Sequence, residues 1–177
     1  TLFLFSDGFD EAKRLFRDSN FQLTVCDESG LPRDELHGGT HKKGEDSEEM
    51  GLDRLYRIIK AVHEKGQFEL EKHHNPVPGE KYTFDFSLLS GSVRDMIMAL
   101  VSVEKVFRMY KNPQATQEDR ILVDIKVDEF LQEHFLQYGD FFGYRIELPD
   151  NPGYVAFTHL NEDEQYDDLT ILAIKKK

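Results

Sequence analysis

The sequence predicts an α+β protein in which antiparallel strands from both ends of the chain form a sheet covered by helices. Three observations carry that expectation. The run Leu2–Phe5 is apolar without a break and stops at Ser6-Asp7-Gly8, the pattern of a buried strand ending in a sharp turn. The run 169–174 is a second apolar strand, entered from the carboxylate pair Asp167-Asp168. Between them, apolar residues recur at helical spacing over 52–62 and 92–110.

Taken in order, a helix is expected over 10–16 and a strand over 21–25. The segment 27–49 is rich in glycine, charge and histidine and reads as a long loop. In the helix over 52–62, Leu52, Leu55, Tyr56, Ile58, Ile59 and Val62 share a face, with Ser47 as the expected cap. Two prolines and a glycine over 73–80 mark a turn or linker. The clearest helix begins at Ser92. Val93, Met96, Ile97, Leu100, Val101, Phe107 and Tyr110 make its apolar face, Ser92 and Asp95 resemble a capping pair, and Asn112-Pro113 is its expected end. Ile121, Val123, Ile125 and Val127 alternate and are β-branched, so a strand competes with a helix there. Phe130, Leu131, His134, Phe135 and Tyr138 return to helical spacing, with Gly139 placed to stop the helix. Strands are expected over 144–148 and 154–160, around turn residues 149–153.

The 177 residues suit one domain, or a small domain with a large insertion, and are enough to bury a core. A hydrophobic share of 39% beside 32% charged residues describes a globular protein with a solvated surface. A net charge of -12 opposes a phosphate backbone, so nucleic acid is not an expected partner. Cys26 is alone and has no thiol to pair with, which fits a reducing, cytoplasmic compartment. No apolar run approaches the roughly 20 residues of a membrane span. The chain opens at Thr1 directly in an apolar stretch, as expected of a piece cut from a longer protein.

The chemistry-bearing residues lie at the two ends. Asp7 closes one apolar strand and Asp167 opens another; if the two strands pair antiparallel, both carboxylates meet at one sheet edge. Converging carboxylates without Cys or a nearby His suit hard divalent ions, Mg²⁺ or Mn²⁺. The blander alternative for each motif is a turn or a solvated strand end.

In this order, the segments Ser6-Asp7-Gly8-Phe9-Asp10-Glu11-Ala12 and Asp167-Asp168-Leu169-Thr170 resemble the C-terminal half of the sporulation protein E branch of the protein phosphatase 2C-like, metal-dependent Ser/Thr phosphatases. Gly51-Leu52-Asp53-Arg54-Leu55 is similar to that family's Phe-Gly-x-x-x-Leu segment. The resemblance implies a two-metal centre at the edge of a β-sandwich, in which a metal-activated water hydrolyses phosphoserine or phosphothreonine on a bacterial signalling protein. It implies Asp7 and Asp167 as metal ligands and assigns no catalytic side chain beyond ligands. Asp168 is not carried over, because the wider superfamily has Asn there, and Gly8 and Glu11 belong to the motif without a ligand role. The family's upstream motifs have no counterpart before Asp7, so the metal site is expected to be incomplete in this chain, with an upstream sensor region in the intact protein. Asp7 and Asp167 stand further apart than the resemblance implies, so insertions are expected within 27–49 and 112–161. Half of a sandwich leaves edges and apolar faces unpaired, so a homodimer is also expected.

Two other classes compete. A von Willebrand factor A-like binding domain also places Ser/Thr-Asp-Gly after an apolar strand, but its Asp-x-Ser-x-Ser motif is absent. Alternatively, the acidic middle is a regulatory module for a protein partner. Among lesser candidates, His37 and His41 flank glycines, and no Cys or suitably spaced carboxylate completes a zinc set with them. His73 and His74 read as a solvated turn, while His63 and His134 read as hydrogen-bonded packing residues. Met96 and Met98 read as core, Cys26 as an inert apolar residue, and Ser90-Gly91-Ser92 as a helix cap. Asp27-Glu28-Ser29-Gly30 lacks the glutamate of a calcium-binding loop. The acidic run 163–168 reads as a solvated face apart from Asp167.

Overall fold

A computed structural model of the protein describes residues 2–18, 20, 22–25, 45–71, 81–116, 118–164 and 168–175. Those residues form a mixed α+β fold of five helices and small antiparallel sheets. Strand β1 (Leu2–Phe5) pairs antiparallel with the last strand, β11 (Ile171–Ile174), Leu2 opposite Ile174 and Phe5 opposite Ile171. This is the pairing of chain ends that the two apolar runs predict. One face, carrying Phe3, Phe5 and Ile171, packs against the core, while Leu2, Leu4, Leu172 and Ile174 stay exposed on the other.

The helix expected over 10–16 is corrected to a single turn, α1 (Asp7–Asp10), followed by β2 (Lys13–Leu15) paired with β3 (Ser47–Glu49). Long-range partners, described below, claim Arg14, Leu15 and Arg17 and override the local pattern. Of the strand expected over 21–25, the described residues show one bridge, Arg17 to Leu23. Ser47 lies in β3 and does not cap α2 (Leu52–His63). Gly51 does, at φ 75°, where glycine carries no Cβ penalty. Leu55, Ile58, Ala61 and Val62 are buried on α2 as the spacing predicts, but Leu52 and Tyr56 are exposed.

An antiparallel pair absent from the expectations follows, β4 (Gln67–Glu71) and β5 (Lys81–Asp85). Period-two alternation was its signal: Phe68 and Leu70 turn inward opposite Phe84 and Tyr82. The turn expected over 73–80 lies outside the described residues.

Helix α3 (Val93–Arg108) begins where predicted, with Ser92 and Asp95 in a reciprocal capping box. It buries Met96, Ala99, Leu100, Val103 and Phe107. It stops short of Tyr110, because β6 (Met109–Lys111) extends to pair with β10 (Leu160–Glu162). The alternation over 121–127 is realised only in β7 (Ile121–Asp124). The Asp124 side chain then accepts from the Lys126 and Val127 N–H groups and starts α4 (Ile125–His134). Gly139 lies inside α5 (Tyr138–Phe142) and does not stop a helix; Gly143, at φ 62°, follows as the cap. Strands β8 (Arg145–Glu147) and β9 (Tyr154–Phe157) flank the expected turn and form the sheet β7-β9-β8. The strand expected to run on to residue 160 divides at His159, φ 60°, into β9 and β10.

One apolar cluster joins these elements, from Phe9 through α2, α3 and the β4 and β5 pair to Phe157 and Leu160. Phenylalanines dominate its far side, where Phe84 stacks on Phe135 with centroids 4.8 Å apart and Phe142 meets Phe157 at 4.8 Å. Residues over 112–161 supply Ile121, Leu131, Phe135, Phe142 and Val155 to the same cluster. Near them the Asp128 carboxylate, fully buried, accepts from Tyr138 Oη (2.6 Å), Arg145 Nε (2.7 Å) and Gln132 Nε2 (2.9 Å). Among the described residues no helix is long and apolar enough to cross a membrane.

The α3 cap gives this fold a pH signature. Partial burial works against the Asp95 carboxylate, but bonds from Ser90 and from the Ser92 N–H (3.1 Å) outweigh it and hold its pKa below the usual 3.8. A depressed folded pKa contributes stability that is present above the unfolded value and is lost as pH falls through the folded one. Asp95→Asn is therefore expected to melt below wild type near neutrality, with the gap closing below pH 3.8. Thermal melts across the acid range check this, and a constant gap would refute it.

Candidate functional site

The paired chain ends bring the two aspartate motifs into direct contact. Ser6, the residue before Asp7, donates its N–H to Thr170 O (2.9 Å) and its Oγ–H to Asp168 O (2.7 Å). The Thr170 N–H donates back to Ser6 Oγ at 2.9 Å. Asp7 is the first residue of α1 and is exposed; Gly8 and Phe9 behind it are buried. Asp168 is likewise exposed, and Asp167 lies outside the described residues. Among the described residues no group of three or more His, Cys, Asp or Glu side chains converges on a metal position.

Behind this edge lies a set of buried charges that the sequence did not announce. Four arginines, Arg14, Arg17, Arg54 and Arg108, are buried together with Glu48, Glu104 and Asp163. Arg14 and Arg54 grip opposite oxygens of Glu48, Arg54 Nη2 at 2.9 Å. Arg14 Nη1 also donates to Glu71 O (2.9 Å), and Arg54 Nη1 to Glu49 O (2.7 Å). Both guanidinium groups lie over the Phe107 ring, Arg14 at 4.6 Å and Arg54 at 5.4 Å. Burial pushes the Arg14 pKa down, opposed by Glu48. It pushes Glu104 up, opposed by Arg108, to which Glu104 is paired.

Asp163 completes the set and is buried, contrary to the expectation of a solvated face over 163–168, whereas Glu164 and Asp168 are exposed as expected. Its carboxylate accepts from Arg17 Nη2 (2.7 Å) and from the Leu15 N–H (2.8 Å), and Arg17 stacks on Tyr110 at 3.5 Å. Its backbone exchanges bonds with Arg108: Asp163 N–H to Arg108 O at 2.8 Å and Arg108 Nη1 to Asp163 O at 2.9 Å. The chain just after Asp7 and the chain just before Asp167 are therefore tied to each other and to α3. A carboxylate within an acidic run offers no local signal of this, because its partners lie 146 and 148 residues away.

The lesser candidates separate cleanly. His134 is buried, with Nδ1 3.0 Å from Asp85 O and its ring 4.5 Å from that of Phe130, a packing role as expected. His63, expected to pack, is exposed at the end of α2. Met96 is in the core and Met98 packs against it. His37, His41, His73, His74, Cys26 and the 27–30 segment lie outside the described residues. Compared with protein-family models, curated proteins and solved structures, the chain matches none.

Removing one member of a buried ion network strands the others without water. Glu48→Ala leaves Arg14 and Arg54 without their shared carboxylate and is expected to lower the unfolding free energy by about 3–5 kcal/mol in urea melts. A loss below about 1 kcal/mol, the range of an exposed pair, would show that water reaches these groups.

Proposed function

We propose that this chain is the C-terminal part of the phosphatase domain of a metal-dependent Ser/Thr protein phosphatase of the sporulation protein E type, incomplete as a metal site by itself. The observation that carries the proposal is the bond from Ser6 to Asp168, which joins the Ser6-Asp7-Gly8 and Asp167-Asp168-Leu169-Thr170 motifs across 162 residues of chain. The β1 and β11 pairing brings both motifs to one sheet edge, which is what a ligand set drawn from the two requires.

Asp7 and Asp167 hold Mn²⁺ or Mg²⁺ through carboxylate oxygens at this edge. Bound divalent ions acidify water and clamp phosphoryl oxygens, which is the chemistry that hydrolysis of phosphoserine or phosphothreonine needs. The substrate is a phosphorylated bacterial signalling protein in the cytoplasm, and a sensor region lies upstream. The exposed aliphatic face of Leu2, Leu4, Leu172 and Ile174 supports the finer architecture, one layer of a β-sandwich whose apolar face is covered by the rest of the phosphatase domain. Without that covering layer, the chain forms a homodimer through the same unpaired edge and apolar face.

Mn²⁺ titration of wild type against Asp7→Ala and Asp167→Ala tests it. Saturable binding in wild type, weakened at least about tenfold in each variant, is the expected result. Equal weak binding in all three rejects the ligand roles.

A further inference from the structure

At the end of β6 the surface opens into a cleft of about 370 Å³, walled by Lys111, Pro113, Asp140, Phe141, Phe142 and His159. A volume of this order suits a small molecule. Three parts of the chain build the walls: β6 and the residues after it, the end of α5, and the break between β9 and β10. His159, in that break, is one of two non-glycine residues with positive φ among the described ones, a backbone state that side chains rarely adopt. Its carbonyl accepts the Asn112 N–H at 2.8 Å, which ties the break to the β6 side of the cleft. Gly143, also in the wall, leaves the mouth open, since a Cβ there would meet no atom within 4 Å.

The cleft holds charge of both signs that is not neutralised within it. The half-buried Lys111 Nζ donates to the backbone carbonyl of Asp140. An ammonium has three N–H donors, so two remain, and among the described residues Lys111 makes no ion pair. The Asp140 carboxylate is exposed and likewise has no hydrogen bond or ion pair among the described residues. His159 is exposed and offers one ring N–H in either neutral tautomer. Phe141 and Phe142, both buried, and Pro113 supply carbon surface beside these groups. A simple anion would suit Lys111 and His159 but face the Asp140 carboxylate, and a simple cation would face Lys111. A molecule that carries both charges close together, next to a carbon chain, meets all of them.

We propose that this cleft binds a free α-amino acid with an apolar side chain, its carboxylate on Lys111 and His159, its ammonium on Asp140, and its side chain against Pro113, Phe141 and Phe142. The inference does not rest on the metal-site proposal, because β6 and the segment 112–161 carry neither aspartate motif.

The experiment titrates L-leucine into this chain and follows backbone amide chemical shifts, beside isocaproate, which lacks the ammonium, and isoamylamine, which lacks the carboxylate. Saturable shifts are expected at Lys111, Phe141, Phe142 and Gly143 with L-leucine, and binding at least about tenfold weaker for either analogue, the scale of a lost hydrogen bond to a charged group. Lys111→Met and Asp140→Asn are each expected to weaken L-leucine about tenfold. Should Lys111→Met melt early, Asp140→Asn decides, because its exposed side chain holds nothing in place and its melting temperature is expected to match wild type. Absence of saturable L-leucine binding at millimolar concentration overturns the proposal. So does an analogue that binds as tightly as L-leucine, which marks a site for a single charge, or an Asp140→Asn variant that binds L-leucine like wild type.

Discussion

Charge taken out of water governs how this chain packs. An arginine or a carboxylate in the interior is tolerated only when its partners are in place, since desolvation costs several kcal/mol per ion. Arg14, Arg54 and Glu48 satisfy one another over the Phe107 ring, Arg108 pairs with Glu104, and Asp163 receives Arg17 and the Leu15 N–H. The participants come from β2 and the residues just after it, β3, α2, α3 and the segment after β10. Each element must therefore sit where its charge finds a partner, and apolar burial alone does not dictate the arrangement. The stacked Phe107 links this ionic layer to the hydrocarbon core, presenting its face to two guanidinium groups while its side chain is fully buried.

The same network frames the candidate site without entering it. Asp7 precedes β2, which carries Arg14; Asp163 precedes the acidic segment that ends at Asp168. Pairing β2 with Asp163 draws the two ends of the chain together in the interior, and the β1 and β11 pairing draws them together again at the surface. Between these two ties Ser6 and the Asp168 carbonyl are held within hydrogen-bonding distance. The aliphatic residues on the outer face of β1 and β11 stand in contrast: they alternate with core-facing residues and stay exposed.

The meeting of the chain ends was legible from sequence because it rested on two strong local signals, continuous apolar runs flanked by turn residues and carboxylates. Asp163 was not legible. Nothing within its own acidic segment distinguishes it from its neighbours, and its burial is decided by the guanidinium of Arg17, which the local pattern had assigned to the neighbourhood of a helix. His134 was read correctly because an apolar helical stripe constrains what its ring can touch. His63 was misread because a residue at the last turn of a helix can face either way.

By itself, the sequence determined the elements whose signals are complete within a few residues. The capping box at Ser92 and Asp95, the buried stripes of α2 and α3, and the strands at both ends are of this kind, since capping, helical spacing and strand alternation all act locally. Only the tertiary structure decided the rest: a strand in place of a helix at Lys13–Leu15, the end of α3 at Arg108, and the switch from strand to helix at Asp124. In the first two a distant partner, Asp163 with β3 or the strand β10, supplies the hydrogen bonds that a continued helix would have made with itself. In the third, β9 pairs with the chain only as far as Asp124, whose side chain then satisfies the first free N–H groups of α4.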